Sequence, residues 1–284
     1  MKILIAPDSF KGSATSRRAA EAIGKGVHAV FPDAELVEIP VADGGEGTVE
    51  ALTDSMDGRI ISKSVKGPLG ETVEAEYGIL PGNIAVIEMA SASGLPLIPD
   101  NKRDPLITST YGTGQLILDA MERGCGEIII GIGGSATNDG GTGMARALGF
   151  SFLDSSGKEL PEGGGSLVYI AAIDDSRMDK RIVETSFLIA CDVTNPLTGP
   201  EGASNIYGAQ KGASPEDIKL LDRGLGRLAE VINNKYCRAN ENLPGAGAAG
   251  GLGYGLVEFC GGELKSGIEI VLDLIKFDDY LDGV

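Results

Sequence analysis

The sequence predicts an α/β fold, because short apolar runs alternate with stretches of helical spacing and with glycine-rich loops. The composition agrees: 43 of the 284 residues are glycine and only 5% are aromatic, which favours a glycine-looped α/β protein over a β-sandwich or barrel. The glycines cluster between the apolar runs and not in low-complexity tracts, so we expect a folded chain. Its length suffices for one large domain or two ordinary ones.

Residues 1–58 predict half of a doubly wound parallel sheet. The apolar run at 2–6 ends in Pro-Asp, as a buried strand followed by a loop does, and apolar spacing indicates a helix over Thr15–Val30. A second strand at 35–41 and a second helix up to Met56 complete a βαβα order. Two strands cannot cover two helices, so this half needs strands from elsewhere.

The pattern changes near Gly58. Arg59–Val65 and Thr72–Leu80 alternate around a Gly-Pro-Leu-Gly turn, which predicts an antiparallel pair. Further strands are predicted at 84–90, 127–132, 150–153 and 187–190, and helices at 113–123, 139–148, 215–233 and 268–275. No closing strand follows the last helix, so we expect that the chain is truncated and lacks a C-terminal piece that completes the first sheet.

Charge and hydropathy argue against several classes of partner. The net charge of −17 repels nucleic acid and anionic lipid. No apolar stretch approaches the roughly 20 residues that span a membrane, and the N-terminus shows no signal-peptide pattern, so we expect a cytoplasmic protein without a membrane partner. The four cysteines show no CxxC pairing, which is typical of reduced structural thiols.

Four predicted strand ends are followed by a loop that carries an acid. In open α/β sheets ligands bind beyond the carboxyl ends of the strands, where glycine lets peptide N–H groups approach an anion. The carboxylates of these loops suit Mg²⁺ binding or acceptance of a hydroxyl proton, and phosphoryl transfer requires both. These aspartates are Asp8, Asp43, Asp139 and Asp192. Lys11 and Lys211 suit the neutralisation of phosphate charge.

The same loops also have a purely structural interpretation, since Gly-Gly and Asp-Gly form turns and an Asp before a helix caps it. Several other chemistries are excluded. The P-loop pattern GxxxxGK[ST] is absent, and Gly133–Thr137 fails the GxSxG elbow at its last position. The only histidine, His28, lies within a predicted helix, which excludes a Ser-His-Asp triad.

Two alternatives stay open. Residues 131–136 match the dinucleotide pattern GxGxxA after a strong strand, and Asp154 follows about twenty residues later, as in an NAD(P)-dependent hydroxy-acid dehydrogenase. The next helix is predicted to start only near Asp139, too late to point at a pyrophosphate held by the first glycines, so this alternative ranks second. A non-catalytic metabolite-binding fragment is the other.

Taken together, the loops resemble the bacterial glycerate kinase family of the non-P-loop type. Strings this long are far more specific than any three-glycine pattern, and they run in family order over nearly the whole chain. They are APDSFKGS (6–13), ADGGEGT (42–48), EMASASGL (88–95), TYGTG (110–114), GIGGSATNDGG (131–141), ACDVTNPL (190–197), YGAQKGA (207–213), PGAGAAGGLG (244–253) and SGIE (266–269).

The resemblance implies ATP- and Mg²⁺-dependent phosphorylation of D-glycerate, giving 2-phosphoglycerate rather than 3-phosphoglycerate. It also implies two domains: a discontinuous flavodoxin-like parallel-sheet domain, with residues 1–58 as its N-terminal half, and an inserted mixed-sheet α/β domain of restriction-endonuclease-like topology at residues 59–284. The remainder of the first domain is expected beyond Val284. The expected partners are D-glycerate and ATP, with a homodimer as the candidate assembly.

On this resemblance we assign residue roles as hypotheses. Asp192 is the candidate for holding Mg²⁺ or deprotonating the attacking hydroxyl, and Lys11 and Asp8 are the other catalytic candidates. The candidates for nucleotide binding are Gly133, Gly134, Ser135, Asn138, Asp139 and Gly140. The candidates for D-glycerate binding are Asp43, Glu46, Ser91, Ser93 and Lys211.

Overall fold

The computed structural model describes residues 1–10, 13–42, 45 and 47–284. Ten strands are formed within this part: β1 Lys2–Ile5, β2 Glu35–Glu38, β3 Arg59–Lys66, β4 Thr72–Leu80, β5 Ile84–Glu88, β6 Glu127–Gly131, β7 Ser151–Leu153, β8 Ala172–Asp174, β9 Ser186–Ala190 and β10 Glu263–Lys265. The helices of this part are α1 Ser16–Val30, α2 Thr48–Ser55, α3 Ala90–Ser93, α4 Tyr111–Glu122, α5 Thr142–Ala147, α6 Ala203–Tyr207, α7 Pro215–Tyr236, α8 Ala248–Cys260 and α9 Gly267–Leu274. No helix among the described residues is long and apolar enough to cross a membrane.

A six-stranded mixed sheet organises the molecule, in the order β10-β9-β6-β5-β4-β3. The pairs β3–β4 and β4–β5 are antiparallel, whereas β5, β6, β9 and β10 run parallel to one another. Register pairs Ile87 with Ile130 and Ile130 with Ile189 across the parallel part. Because these strands are parallel, their carboxyl ends lie along one edge, and the loops that follow β5, β6 and β9 gather there.

Both faces of the parallel strands are buried, as the long apolar runs of the sequence require. Ile87 and Ile130 belong to the larger core, where α4, α5, α7 and α8 also pack. Val86 and Ile129, one residue earlier in each strand, belong to a second core shared with α2 and α9. The alternation follows from the period of two in a strand, and it places helices on both faces of the sheet.

Several sequence predictions are confirmed. The antiparallel pair predicted at 59–65 and 72–80 is β3 and β4, and the predicted buried strands at 127–132 and 187–190 are β6 and β9. The βαβα start is also present, with β1 and β2 paired in parallel as a two-stranded sheet. Helix α2 docks on the main sheet, because its Val49 N–H donates to Glu88 Oε1 at the end of β5 at 2.9 Å.

Two glycine loops meet backbone to backbone behind the strand ends. The N–H of Gly140 donates to the carbonyl of Gly250 at 3.0 Å. A Cβ built on Gly250 would lie 2.0 Å from the carbonyl oxygen of Thr137, and a Cβ on Gly255 would lie 2.6 Å from that of Gly140. The segment Ala249–Gly251 holds three successive left-handed residues, with φ of 53, 67 and 87°. Only glycine at 250 permits this approach, because any side chain would meet the facing backbone.

We therefore expect Gly250→Ala to destabilise the fold strongly, by more than about 3 kcal/mol, since it combines a left-handed φ with a backbone clash. Gly261→Ala is the matched control: Gly261 has nearly the same φ, 68°, and nothing within 4 Å of its Cβ position. It should cost only the backbone term of about 1–2 kcal/mol. Chemical denaturation of both variants measures the difference, and equal losses would contradict the close packing of the two loops.

Candidate functional site

A cavity of about 420 Å³ lies at the carboxyl ends of β6 and β9. Its wall comes from segments that are distant in sequence but adjacent at this edge of the sheet. The lining residues are Gly45, Leu95, Ile132, Gly133, Gly134, Ser135, Ala190, Cys191, Asp192, Val193, Tyr207, Gln210, Lys211, Ala248 and Ala249. A hollow of about 490 Å³ lies elsewhere, between α1, α2 and the end of α9, but no glycine-rich strand-end loop lines it. Chemistry rather than size identifies the candidate site.

The glycine loop after β6 presents unused peptide N–H groups to this cavity. Two backbone hydrogen bonds anchor the loop, from Leu95 N to the carbonyl of Gly134 at 2.9 Å and from Ala136 N to that of Ser93 at 3.0 Å. Gly134 adopts a left-handed φ of 73°. In the described part of the chain, the N–H groups of Gly133, Gly134 and Ser135 donate to no protein acceptor. Free N–H groups on adjacent residues form a site that attracts anions.

Lys211 is buried at the same wall, with only 1% of its surface exposed. Its ammonium donates to Ser135 Oγ at 2.8 Å and to the carbonyl oxygen of Thr137 at 2.7 Å. Burial lowers the pKa of Lys211 to about 7, and the charge of Asp139 opposes that shift. The lysine therefore ties the short segment after α6 to the glycine loop and contributes a positive charge to the cavity at neutral pH and below.

Asp192 follows the neighbouring parallel strand β9 at the same edge of the sheet and is fixed by the start of α9. Its Oδ1 accepts hydrogen bonds from Ser266 Oγ at 3.1 Å and from Gly267 N at 3.0 Å. The carboxylate thus satisfies an N–H at a helix N-terminus, where negative charge is favoured. The neighbouring thiol of Cys191 donates to the carbonyl of Val193 at 3.3 Å, and burial raises its pKa.

The structure brings five of the predicted site residues to one cavity: Gly133, Gly134, Ser135, Asp192 and Lys211. Gly45, from the second predicted loop, joins them, and a Cβ built on Gly133 would lie 3.9 Å from its Cα. The first part of the chain therefore contacts the glycine loop of the main sheet. The candidates Lys11, Asp43 and Glu46 lie outside the described residues.

Three other candidates do not line the cavity. The carboxylate of Asp8 accepts a hydrogen bond from the adjacent Ser9 N–H at 2.6 Å. Ser93 is fully buried, and its hydroxyl pairs with that of Thr113 at 2.9 Å. Ser91 donates to the carbonyl of Glu88 at 2.8 Å. Their assigned functional roles stay predictions.

Asn138, Asp139 and Gly140 lie beneath the cavity wall. Asn138 Nδ2 donates to Ser204 Oγ at 3.0 Å, and all three residues serve the packing of the loop. The fully buried carboxylate of Asp139 accepts four hydrogen bonds, from the N–H and hydroxyl of Thr110 and from the N–H groups of Gly141 and Gly143. Burial raises its pKa and these four bonds oppose the rise. The contact with nucleotide that was predicted for Asn138, Asp139 and Gly140 stays a prediction.

The sequence analysis missed several lining residues. Cys191, Tyr207, Gln210 and the pair Ala248–Ala249 all face the cavity. Tyr207 is held by its hydroxyl, which donates to Asn195 Oδ1 at 2.7 Å. A signal was present, because these residues stand in three of the strings on which the family resemblance rests, at 190–197, 207–213 and 244–253. Apolar and tyrosine side chains in such strings do not by themselves indicate a ligand.

The described part of the chain holds no group of three or more His, Cys, Asp or Glu side chains placed to share a metal ion. Among the described residues, the site instead offers N–H donors, one ammonium and one carboxylate around a cavity at parallel strand ends. These features define an α/β enzyme that handles small anionic ligands, such as a kinase.

Comparison with known proteins specifies the class. Residues 3–284 match the model of the glycerate kinase family. The Escherichia coli K12 glycerate 2-kinase is 53% identical over 282 residues, and a Bacillus subtilis 168 glycerate kinase is 52% identical; each alignment covers 99% of this chain and 74% of the relative. The crystal structure of a Salmonella typhimurium LT2 protein assigned as glycerate kinase 2 superposes with a TM-score of 0.96 at 49% identity, covering 100% of this chain and 76% of that one.

The chain belongs to the glycerate kinase family, whose members are phosphotransferases with an alcohol group as acceptor. The resemblance predicted from the loop strings is confirmed. These alignments cover 99% of this chain and 74% of each relative, and they do not establish the expected C-terminal truncation.

We expect Asp139→Asn to lower the free energy of unfolding by about 2 kcal/mol, because an amide NH₂ would face one of the buried N–H donors that the carboxylate now accepts. Asp154→Asn is the control: the exposed Asp154 carboxylate also accepts several local bonds, from Ser156 and Lys158. That exposed change should stay within about 1 kcal/mol. Thermal melts compare the two, and an Asp139→Asn variant as stable as wild type would disprove the structural role.

Proposed function

We propose that this chain transfers the γ-phosphoryl group of ATP to the 2-hydroxyl of D-glycerate, giving 2-phosphoglycerate. The observation that carries the proposal is the cavity in which the free N–H groups of Gly133–Ser135, the ammonium of Lys211 and the carboxylate of Asp192 meet. The name of the Escherichia coli relative, glycerate 2-kinase, supports the choice of hydroxyl.

These groups match what phosphoryl transfer needs. The transferred group carries charge on its oxygens, and positioned donors stabilise that charge in the transition state. The N–H groups at 133–135 and the Lys211 ammonium are such donors. Asp192 would accept the proton of the attacking hydroxyl, because its Oδ2 is engaged by no protein donor in the described part of the chain, while Oδ1 is held at α9.

Mg²⁺ fits this donor set. The ion usually binds through one or two carboxylates together with substrate phosphates and water, so a cluster of protein ligands is not required. Among the described lining residues, Asp192 is the carboxylate that would hold it, as the alternative to accepting the hydroxyl proton, and the ion when bound would offset phosphate charge. We propose MgATP as the form of nucleotide used.

We further propose the finer architecture: residues 1–58 as part of a flavodoxin-like domain and residues 59–284 as an inserted domain of restriction-endonuclease-like topology. The two-stranded parallel sheet of β1 and β2 and the separate mixed sheet support this division. A homodimer and a cytoplasmic location remain part of the proposal, to be tested by sedimentation and by cell fractionation.

The dehydrogenase alternative is not favoured. The Escherichia coli and Bacillus subtilis relatives are named glycerate kinases, and α5 begins at Thr142 after a left-handed Gly141, six residues past the end of the 131–136 pattern. A helix starting there does not continue directly from the glycines, as a dinucleotide fingerprint requires.

The decisive assay measures ADP release from MgATP with D-glycerate, and with L-glycerate or glycerol as controls. We expect release that depends on D-glycerate, with a product whose ³¹P signal is a doublet, because the 2-phosphate couples to one methine proton. A triplet would assign the phosphate to the 3-hydroxyl. Ligand binding without ADP release would favour a non-catalytic metabolite-binding protein, and NAD(H) oxidoreduction without ATP use would favour the dehydrogenase.

Asp192→Ala and Asp192→Asn should each reduce kcat about 10²-fold or more, the usual effect of losing a positioned proton acceptor or metal ligand. Ser266→Ala is the control, because it removes one of the two hydrogen bonds to Asp192 Oδ1 and leaves the charge. Steady-state kinetics should show it within about tenfold of wild type. Wild-type turnover in Asp192→Asn would remove this carboxylate from the mechanism.

A further inference from the structure

Among the residues that the structure describes, no carboxylate is bound to the ammonium of Lys211. Its two acceptors in this part of the chain, Ser135 Oγ and the carbonyl oxygen of Thr137, are neutral. A lysine ammonium has three N–H bonds, so one remains for a ligand. A buried cation is stable only with a compensating charge, and none of its hydrogen-bond partners supplies one.

The carboxylates, the thiol and the phenol that lie near Lys211 in the described part of the chain have other partners or are neutral. Asp139, whose charge acts on Lys211, already accepts four hydrogen bonds from the backbone and hydroxyl of its own surroundings. Asp192 lines the same cavity but is held by α9. Cys191 and Tyr207 also line it, and burial raises the pKa of both, so they are neutral near pH 7.

The N–H groups of the glycine loop that donate to no acceptor in the described chain lie next to the Lys211 ammonium. Ser135 accepts from Lys211 through its hydroxyl, while its own N–H and those of Gly133 and Gly134 donate to no protein acceptor in the described chain. The sequence assigned the glycine loop to the nucleotide phosphates and Lys211 to the glycerate carboxylate. The 2.8 Å contact between Lys211 and Ser135 makes these one site instead of two.

We propose that Gly133–Ser135 and Lys211 form a single oxyanion site, and that an anion entering it is bound together with a proton on Lys211. The identity of the ligands rests on the function proposed above. Both ligands carry an oxyanion, which is either a phosphate of the nucleotide or the carboxylate of D-glycerate.

The acid–base behaviour of the free protein supports the coupling. The pKa of Lys211 is lowered from 10.5 to about 7 by burial. An anion at the site favours the charged ammonium and raises that pKa again. Above pH 7 the lysine is therefore mostly neutral before binding and charged after it. Affinity for the anion should fall as pH rises from 7 to 9, by at most about tenfold per pH unit.

Isothermal titration calorimetry at pH 8 in buffers of different ionisation enthalpy measures the protons taken up on binding. The probes are ATP without metal, D-glycerate, and their uncharged counterparts adenosine and glycerol. We expect uptake approaching one proton for the anion that occupies the site and none for the uncharged probes. Proton uptake with ATP but not with D-glycerate identifies a phosphate as the bound anion. Uptake with D-glycerate but not with ATP identifies the carboxylate.

Lys211→Met replaces the buried ammonium with an apolar chain of similar length, which removes the cost of burying a charge but leaves the carbonyl of Thr137 without the Lys211 donor, so the two effects on stability oppose each other. It should abolish the proton uptake and the pH dependence of affinity between pH 7 and 9. Lys219→Met, on an exposed turn of α7, is the matched control and should leave both unchanged. If Lys211→Met does not fold, ¹⁵N chemical shifts of the wild-type Lys211 ammonium, titrated with and without the anion, give the same answer.

The proposal is overturned if wild type binds the anion with no proton uptake, or if Lys211→Met takes up as many protons as wild type. It also fails if both anions bind with an affinity that does not change between pH 7 and 9. These outcomes are separate from the kinase assay, because binding is measured without turnover. If the protein takes up a proton on binding an anion but releases no ADP, the oxyanion site is supported and the proposed kinase function is contradicted.

Discussion

The site depends on a close backbone contact between two glycine loops. Gly140 donates to the carbonyl of Gly250 at 3.0 Å, and this approach leaves no room for a side chain at 250. The contact fixes the carbonyl of Thr137, which in turn accepts from Lys211. The loop that carries the free N–H groups is thus held from behind, and donors that are held in place before a ligand arrives bind it without a cost of ordering.

The central sheet explains why these loops meet at all. β5, β6 and β9 are parallel neighbours, so the segments that follow them emerge at the same edge. Helices pack on both faces of the parallel strands and bury them. In the described part of the chain, a ligand can therefore approach these strands at their carboxyl ends. The net charge of −17 makes the local cation important, because the surface as a whole repels the anions that the site must bind.

Much of this arrangement could be predicted from the sequence. The apolar runs of β6 and β9 are long enough to indicate buried strands, and the rule that ligands bind at parallel strand ends led to Gly133, Gly134, Ser135 and Asp192. Of the predicted residues that line the cavity, all except Lys211 stand in loops that directly follow β6 or β9. The positions of the apolar runs and of the loops that follow them are visible in the sequence.

The direction of individual side chains could not be predicted. Asp139 stands in an Asn-Asp-Gly-Gly string that suits a ligand contact as well as a buried turn, and the choice is made by Thr110, 29 positions earlier in the chain. The burial of Ser93 likewise depends on Thr113, 20 positions later. Such partners come from tertiary packing, which neither periodicity nor turn chemistry reports.

A crystal structure of the chain with D-glycerate and a non-hydrolysable ATP analogue tests the central claim most directly. The account predicts an oxyanion of one ligand within about 3 Å of the N–H groups at 133–135 and of the Lys211 ammonium, with the reacting hydroxyl near Asp192. Both ligands bound elsewhere, with only solvent in the cavity at the carboxyl ends of β6 and β9, would contradict it.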